Sequence, residues 1–260
     1  MNTLSRLKPD GSQQFDHLAN APIVEAVIGW TARSAHPLDM NAISQSLAQK
    51  LPDYPNFKRQ HTISLELVAD EDKSETSRTA ECTGFKFSNA ESTQIAQFKR
   101  DGLTFSRLKP YQNWEPFEAE ARRLWRIFTE IADPQQVERL GVRFINRIPV
   151  NSMADVSKVL REPPTQPLNL PIANFLYQSR FDVHESGLGV NITKALDVTS
   201  LAEKIGPALI LDIDVFTKNP FICDESRLDE YLSRMRYLKN GAFFSLLTDA
   251  ALADFKEVKP

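Results

Sequence analysis

The chain has 260 residues, of which 42% are hydrophobic and 25% charged, a composition typical of a soluble globular protein with enough apolar residues for a core. A formal charge of −3 argues against a general electrostatic attraction to nucleic acid, so an anion site has to be local. The two cysteines are far apart in the chain, which argues against a disulfide framework, and the polar start and lack of long apolar runs predict a cytoplasmic protein without a membrane segment.

The first part of the chain is predicted to be an arm followed by an α+β unit. Residues 1–20 are polar and predict a flexible arm, and residues 21–136 form the first half. Its predicted elements are a strand over 20–33, a helix over 38–51, strands over 61–70, 83–88, 93–100 and 103–108, and a long helix over 113–133. The charged segment 70–82 is predicted to be a mobile loop, and Asp101-Gly102 is predicted to form a hairpin turn.

The second half, residues 137–260, repeats this order of elements. The predicted elements are a strand over 138–149, a helix over 152–162, strands over 174–184, 187–196 and 208–216, and a helix over 225–247 that breaks near Asn240-Gly241 and continues to about 255. Each half therefore follows the order strand, helix, meander, helix. We predict an α+β fold in which two similar halves form one curved antiparallel sheet with helices packed on one face. This element order resembles the duplicated fold of the TATA-binding protein, which implies a fold and not a function.

A row of arginines marks the strand over 138–149. Arg139, Arg143 and Arg147 occupy one phase of this strand, and its other phase contains the apolar residues Leu140, Val142, Phe144 and Ile148. At the rise of a strand, successive arginines of this row lie about 13 Å apart, a spacing that suits an extended anion. Either the arginines bind such a partner, or they pair with carboxylates on neighbouring strands.

The strand over 208–216 offers carboxylates for both alternatives. Asp212 and Asp214 share one face of that strand, where they can pair with the arginines in a ladder. Arg180 and Asp182 on the strand over 174–184 can belong to the same ladder. Two carboxylates at this spacing can also hold a divalent cation, given further oxygen ligands.

Two polar residues interrupt apolar patterns near the predicted centre of the sheet. Glu25 lies within the apolar stretch 22–30, and Asn146 occupies an apolar-phase position beside Phe144. A buried amide or carboxylate needs hydrogen-bonding partners. We therefore predict that Glu25 and Asn146 meet in a buried polar network.

The segment 106–117, "SRLKPYQNWEPF", is rich in residues that bind partners. Arg107, Tyr111 and Trp114 make it a candidate exposed binding loop, and the alternative is that its aromatic residues pack in the core. The four histidines lie at no metal-binding spacing, and no nucleophile-elbow, phosphate-loop or zinc-protease motif occurs in the sequence. We therefore predict no cofactor and no catalytic residues.

Three blocks, "APIVEAVI" (21–28), "GLTFSRLKPYQNWEPFEAEARRLW" (102–125) and "RLGVRFINRIPV" (139–150), occur in this order. Together they resemble a sporadically distributed family of bacterial proteins of about 250 residues whose function is uncharacterised. The resemblance covers the first 150 residues and implies an accessory, phage-defence or toxin–antitoxin role.

Three functions remain open at this point. The first hypothesis is a non-enzymatic binding protein for a protein or anionic partner. The second is a metal-dependent enzyme that acts on a phosphorylated or nucleotide substrate, with Asp212 and Asp214 as metal ligands. The third is sequence-independent binding of nucleic acid. The identity of a partner and the oligomeric state do not follow from the sequence.

Overall fold

The computed structural model describes residues 13–36, 38–70, 73–165, 168, 170, 172–183, 186–197 and 206–256. Within them the strands are β1 (Ile23–Thr31), β2 (Asn56–Asp70), β3 (Lys73–Ser88), β4 (Gln94–Lys99), β5 (Gly102–Leu108), β6 (Gln136–Val137), β7 (Arg139–Pro149), β8 (Leu176–Val183), β9 (Leu188–Asp197), β10 (Ala208–Thr217) and β11 (Phe221–Ile222). The helices are α1 (Met40–Lys50), α2 (Trp114–Ala132), α3 (Met153–Val159), α4 (Glu225–Leu246) and α5 (Asp249–Lys256).

The fold is α+β, as predicted, and is built on one antiparallel sheet of nine strands in the order β2-β3-β4-β5-β1-β7-β10-β9-β8. The central pair is β1 and β7, with Ile28 opposite Val142. The meander of the first half extends outward from β1, and the strands of the second half extend outward from β7. The arrangement is compatible with two similar halves, and descent from a duplication stays a hypothesis. A separate small sheet pairs β6 with β11.

The helices α1, α2 and α4 cover one face of this sheet. Helix α1 packs on β3, α2 on β5, and α4 on β7 and β10. Alternate residues of β7, such as Val142 and Phe144, point into the resulting core. The opposite face, which no helix covers within the described residues, is called the open face below.

Helix ends follow the local sequence. Asp224 caps the N-terminus of α4 by accepting a hydrogen bond from the backbone N–H of Arg227 at 2.9 Å. Ser152 caps α3 in the same way through Asp155. In α2, Pro116 lies in the first turn, where its missing N–H leaves no helical hydrogen bond unmade.

Two predictions of secondary structure are wrong. The segment 73–82, predicted to be a loop, belongs to β3, which pairs with β2 along a long hairpin. The backbone hydrogen bonds to β2 stabilise this part of the strand, so its sequence needs no apolar alternation. Helix α4 continues through Asn240 and Gly241 instead of breaking, and ends only at Leu246. A mid-helix glycine costs about 1 kcal/mol, which the burial of Met235 and Phe243 outweighs.

The N-terminal arm is described only from residue 13 onward, and residues 1–12 lie outside the described part. Phe15 contacts the rings of Tyr237 and Phe244 on α4, and Asp16 forms an ion pair with Lys256 at 2.5 Å. Residues 13–20 therefore lie against α4 and α5. Within the described residues, no helix is both long and apolar enough to span a membrane.

Candidate functional site

The three arginines of β7 lie on the open face. Arg139, Arg143 and Arg147 alternate with the buried residues of that strand, and Arg143 keeps 49% of its side chain exposed. The neighbouring strand β10 places its aspartates on the same face, because Asp212 is opposite Ile145 and Asp214 is opposite Arg143. Charges of both signs therefore share the centre of this surface.

Arginine and aspartate pair across β7 and β10, as the ladder alternative predicts. Arg143 donates from Nε to Asp212 Oδ1 at 2.9 Å and from Nη2 to Oδ2 at 2.6 Å, which is a bidentate ion pair. Arg139 Nη2 donates to Asp214 Oδ2 at 2.8 Å. Each of the two arginines therefore has fewer N–H groups left to bind a free anion.

Arg147 has a different environment from the other two arginines. Its Nη2 donates to the carbonyl oxygen of Gly206 at 2.7 Å, and Asp197 lies 3.9 Å away. Only 18% of its side chain is exposed. Arg147 therefore ties β7 to the segment before β10 and presents little surface to a partner.

The pKa values of Arg143 and Asp214 are both raised in these pairs, for different reasons. The hydrogen bonds to Asp212 raise the pKa of Arg143, and the charges of Asp212, Asp214 and Glu25 act in the same direction. Burial raises the pKa of Asp214 above its ordinary value, although Arg139, Asn191 and Arg143 oppose this shift. Asp214 is therefore a poorly solvated carboxylate that depends on its partners to stay ionised.

A phenylalanine on the open face organises two more arginine side chains. The guanidinium carbons of Arg139 and Arg180 lie 5.0 and 4.9 Å from the centre of the Phe216 ring. The ring lies over Gly189 of β9, where an added Cβ would come within 2.7 Å of a ring atom. The glycine thus provides the space in which Phe216 lies flat and Arg180 stacks on it.

These side chains border a polar groove across β7, β10, β9 and β8 with a cavity volume of about 380 Å³. Besides the charged residues Arg143, Arg180, Asp212 and Asp214, its lining includes Gln178, Ser179, Asn191, Ile192 and Thr193. Arg139 and Arg143 balance the two aspartates, and no ion-pair partner of Arg180 is found in the part of the chain that the structure describes. Arg180 is therefore the lining arginine for which no ion pair is found among the described residues.

Asp212 and Asp214 are engaged by arginines rather than grouped with other metal-binding side chains. Among the described residues, no cluster of three or more His, Cys, Asp or Glu side chains is placed to hold a metal ion. Asn191 Nδ2 donates to Asp214 Oδ2 at 3.3 Å, which uses a further lone pair of that carboxylate. The arrangement favours a charged ladder over a metal site.

Glu25 and Asn146 do not meet, contrary to the network predicted from the sequence. Asn146 is 1% exposed on the core side of β7, and its Nδ2 donates to the carbonyl oxygen of Leu211 at 3.0 Å. Glu25 is opposite Ile145 and therefore lies on the open face. The register of β1 against β7 shifts between Ile23 and Glu25, so Ile23 is opposite the core-side residue Asn146 whereas Glu25 is opposite Ile145.

The three candidate binding residues of the predicted loop 106–117, which are Arg107, Tyr111 and Trp114, lie on the helix side, away from the arginines of β7. Trp114 is 5% exposed and packs on Phe144, and the part-buried Tyr111 meets the same ring at 5.3 Å. Arg107 and Tyr111 line a cavity of about 110 Å³. The aromatic residues of this segment thus pack into the core, and the six predicted ligand-binding residues divide between two faces of the sheet.

A lysine lies within this aromatic cluster. Lys239 Nζ of α4 is 3.9 Å from the centre of the Phe144 ring. Burial, with a smaller contribution from the nearby charge of Arg236, lowers the pKa of Lys239 to about 7. No ion-pair partner of Lys239 is found among the described residues, so the ring is its main cation-binding contact.

The groove contains residues that the sequence analysis did not select. Gln178 lies in phase with Arg180 on β8, and Asn191 lies in phase with Thr193 on β9. Polar residues at alternate positions indicate the solvent-exposed face of a strand, so the sequence did contain a signal for these residues. The position of Phe216, two residues after Asp214, is the corresponding signal for an aromatic residue on the open face.

Comparisons with known proteins add no family assignment. No protein-family model matches the chain, and no curated protein matches it significantly. The function has to be inferred from the groove itself.

Proposed function

We propose that this chain is a non-enzymatic, cytoplasmic binding protein that holds a partner protein in the polar groove of the open face. The proposal rests on one observation, which is the environment of the Arg180 guanidinium. Its guanidinium is held by stacking on Phe216, borders the groove, and has no ion-pair partner among the described residues. A guanidinium positioned in this way, for which the described part of the chain supplies no carboxylate, is suited to an external carboxylate, which it binds through two parallel hydrogen bonds.

The remaining lining favours a polar peptide segment as the occupant. Gln178, Asn191 and Thr193 offer amide and hydroxyl groups, which can both donate and accept hydrogen bonds. The volume of about 380 Å³ is within the range of ligand sites, but the lining is polar where small-molecule sites are mostly apolar. A short segment with an acidic side chain directed at Arg180 fits this chemistry.

The arginines of β7 have a supporting role in this proposal. Arg143 forms a wall of the groove while it is paired with Asp212, and Arg147 is turned toward Gly206. Replacement of Arg143 or Arg147 by alanine is expected to weaken binding less than replacement of Arg180. A partner that binds through phosphate groups is the anionic form of the same proposal, since guanidinium recognises both oxyanions.

The other two functions have less support. The enzyme hypothesis needs Asp212 and Asp214 free for a metal, and both are paired with arginines. The nucleic-acid hypothesis needs an excess of positive charge, which the ladder largely cancels. An accessory, phage-defence or toxin–antitoxin role in bacteria is supported only by the three sequence blocks described above.

The test is quantitative co-purification from the native host. Tagged wild type and Arg180→Ala are compared with Arg234→Ala, a matched control on the helix side whose side chain is 50% exposed. The proposal expects a stoichiometric protein that Arg180→Ala loses and Arg234→Ala retains, as measured by mass spectrometry. A protein retained by all three variants, or a nucleotide or nucleic acid bound in its place, would contradict it.

A further inference from the structure

Strand β8 forms an open edge of the main sheet. It is the last strand in the order and pairs with β9 along one side, and no strand on its other side is found among the described residues. Seven of its eight residues are exposed. The outer row of backbone N–H and C=O groups is therefore available to pair with another strand.

The side chains of this edge are apolar to an unusual degree for an exposed strand. Tyr177 and Phe181 are 47% and 51% exposed on the side where the helices lie, and Leu176 is 67% exposed on the open face. Helix α4, the nearest large helix in the second half, packs on β7 and β10. Natural edge strands are usually short, charged, bulged or covered, and apolar ones mark association sites.

We propose that β8 pairs antiparallel with β8 of a second copy of this chain, with Phe181 opposite the partner's Phe181. Directly opposite residues of an antiparallel pair share a face of the sheet. This register therefore places Arg180 opposite the partner's Asp182, and Asp182 opposite the partner's Arg180. One symmetric contact thus forms two pairs of opposite charge on the open face and one aromatic contact on the other face.

Other registers are less favourable for the same strand. A register centred on Arg180 would place two arginines opposite each other, which is destabilising. In the single chain, Arg180 lies over Phe216 and Asp182 lies 3.4 Å from Lys218, with 59% of the Asp182 side chain exposed. Both side chains turn toward the edge when the partner strand binds.

The inferred dimer extends the surface described above. Pairing through β8 is isologous and closed, so it yields a two-fold dimer and not a filament. It joins two open faces into one sheet, with the partner's Asp182 at the rim of the groove that contains Arg180. In the dimer Arg180 pairs with the partner's Asp182, so a ligand of the groove has to compete with that carboxylate for the guanidinium. Sedimentation without ligand tests the dimer separately from the proposed function.

Sedimentation of the full chain over a wide range of concentrations tests the inference. The wild type is expected to form a concentration-dependent dimer. Arg180→Asp and Asp182→Arg each place like charges opposite each other and are expected to raise the dimer Kd at least about tenfold. The double variant Arg180→Asp/Asp182→Arg restores opposite charges and is expected to dimerise like the wild type.

A second pair of variants tests the apolar contact. Phe181→Lys is expected to abolish dimerisation, and Ile222→Lys is the control, since Ile222 is 74% exposed on β11. Circular dichroism checks that each variant is folded, and the charge swap decides the matter if Phe181→Lys fails to fold. A wild type that stays monomeric, a dimer that tolerates Phe181→Lys, or a double variant that does not regain dimerisation would overturn the proposal.

Discussion

The buried ammonium of Lys239 makes the stability of this protein depend on pH in a definite direction. Its pKa falls from the ordinary 10.5 to about 7, because burial disfavours the charged form. At about 1.4 kcal/mol for each pKa unit, the full difference corresponds to about 5 kcal/mol. The residue keeps part of its surface exposed, so we reduce this to about 2 kcal/mol.

The sign of the effect follows from proton binding. Below pH 7 the lysine is protonated in both states, and the folded state bears the whole cost of burying the charge. Between pH 7 and 10.5 the unfolded chain holds the proton that the folded chain has lost, so the free energy of unfolding rises with pH. Lys239→Met removes this dependence and is expected to stabilise the protein by about 2 kcal/mol at pH 6.

Urea unfolding at a series of pH values measures this effect. Lys158→Met is the matched control, because the Lys158 side chain is 75% exposed. The stability difference between wild type and Lys239→Met should shrink as pH rises from 7 toward 10.5, whereas Lys158→Met should follow the wild type. A constant difference across this range would refute the reasoning.

Three substitutions in the second half of the sheet test other contacts by urea unfolding. Gly189→Ala forces a Cβ against the aromatic ring on the open face and should cost about 1–3 kcal/mol, whereas Gly29→Ala makes only ordinary contacts; equal losses would contradict the packing described. Asn146→Ala removes a buried donor and should cost about 1–3 kcal/mol, and a neutral effect would show that the amide is dispensable. Asp212→Ala breaks a half-exposed pair with Arg143 and should cost about 1 kcal/mol or less, decreasing with added salt; a large, salt-independent loss would indicate another role.

Much of the fold follows from periodicity in the sequence. The apolar residues of α2 repeat at helical spacing, and the alternation along β7 separates a core face from an open face. The length of β3 was missed because a hairpin extending beyond the core needs no apolar pattern. The continuity of α4 was missed because tertiary packing outweighs the low helix propensity of Asn240 and Gly241.

Less of the candidate site than of the fold could be predicted from the sequence. The sequence placed Asp212 and Asp214 on one face, but the partner of each depends on strand order and register, which alternation alone does not specify. The predicted meeting of Glu25 with Asn146 is wrong because Glu25, opposite Ile145, lies in the open-face phase of β1, whereas Asn146 lies in the core phase of β7. The groove could not be predicted, because its lining comes from four strands whose order in the sheet does not follow from the sequence pattern.

The most direct test of the proposed groove is the affinity of the co-purified protein for wild type and Arg180→Ala, measured by calorimetry with Arg234→Ala as control. Loss of a charged hydrogen-bonding partner should weaken binding at least about tenfold in Arg180→Ala, while Arg234→Ala binds like the wild type. Equal affinities for wild type and Arg180→Ala would contradict the assignment of the groove as the binding site.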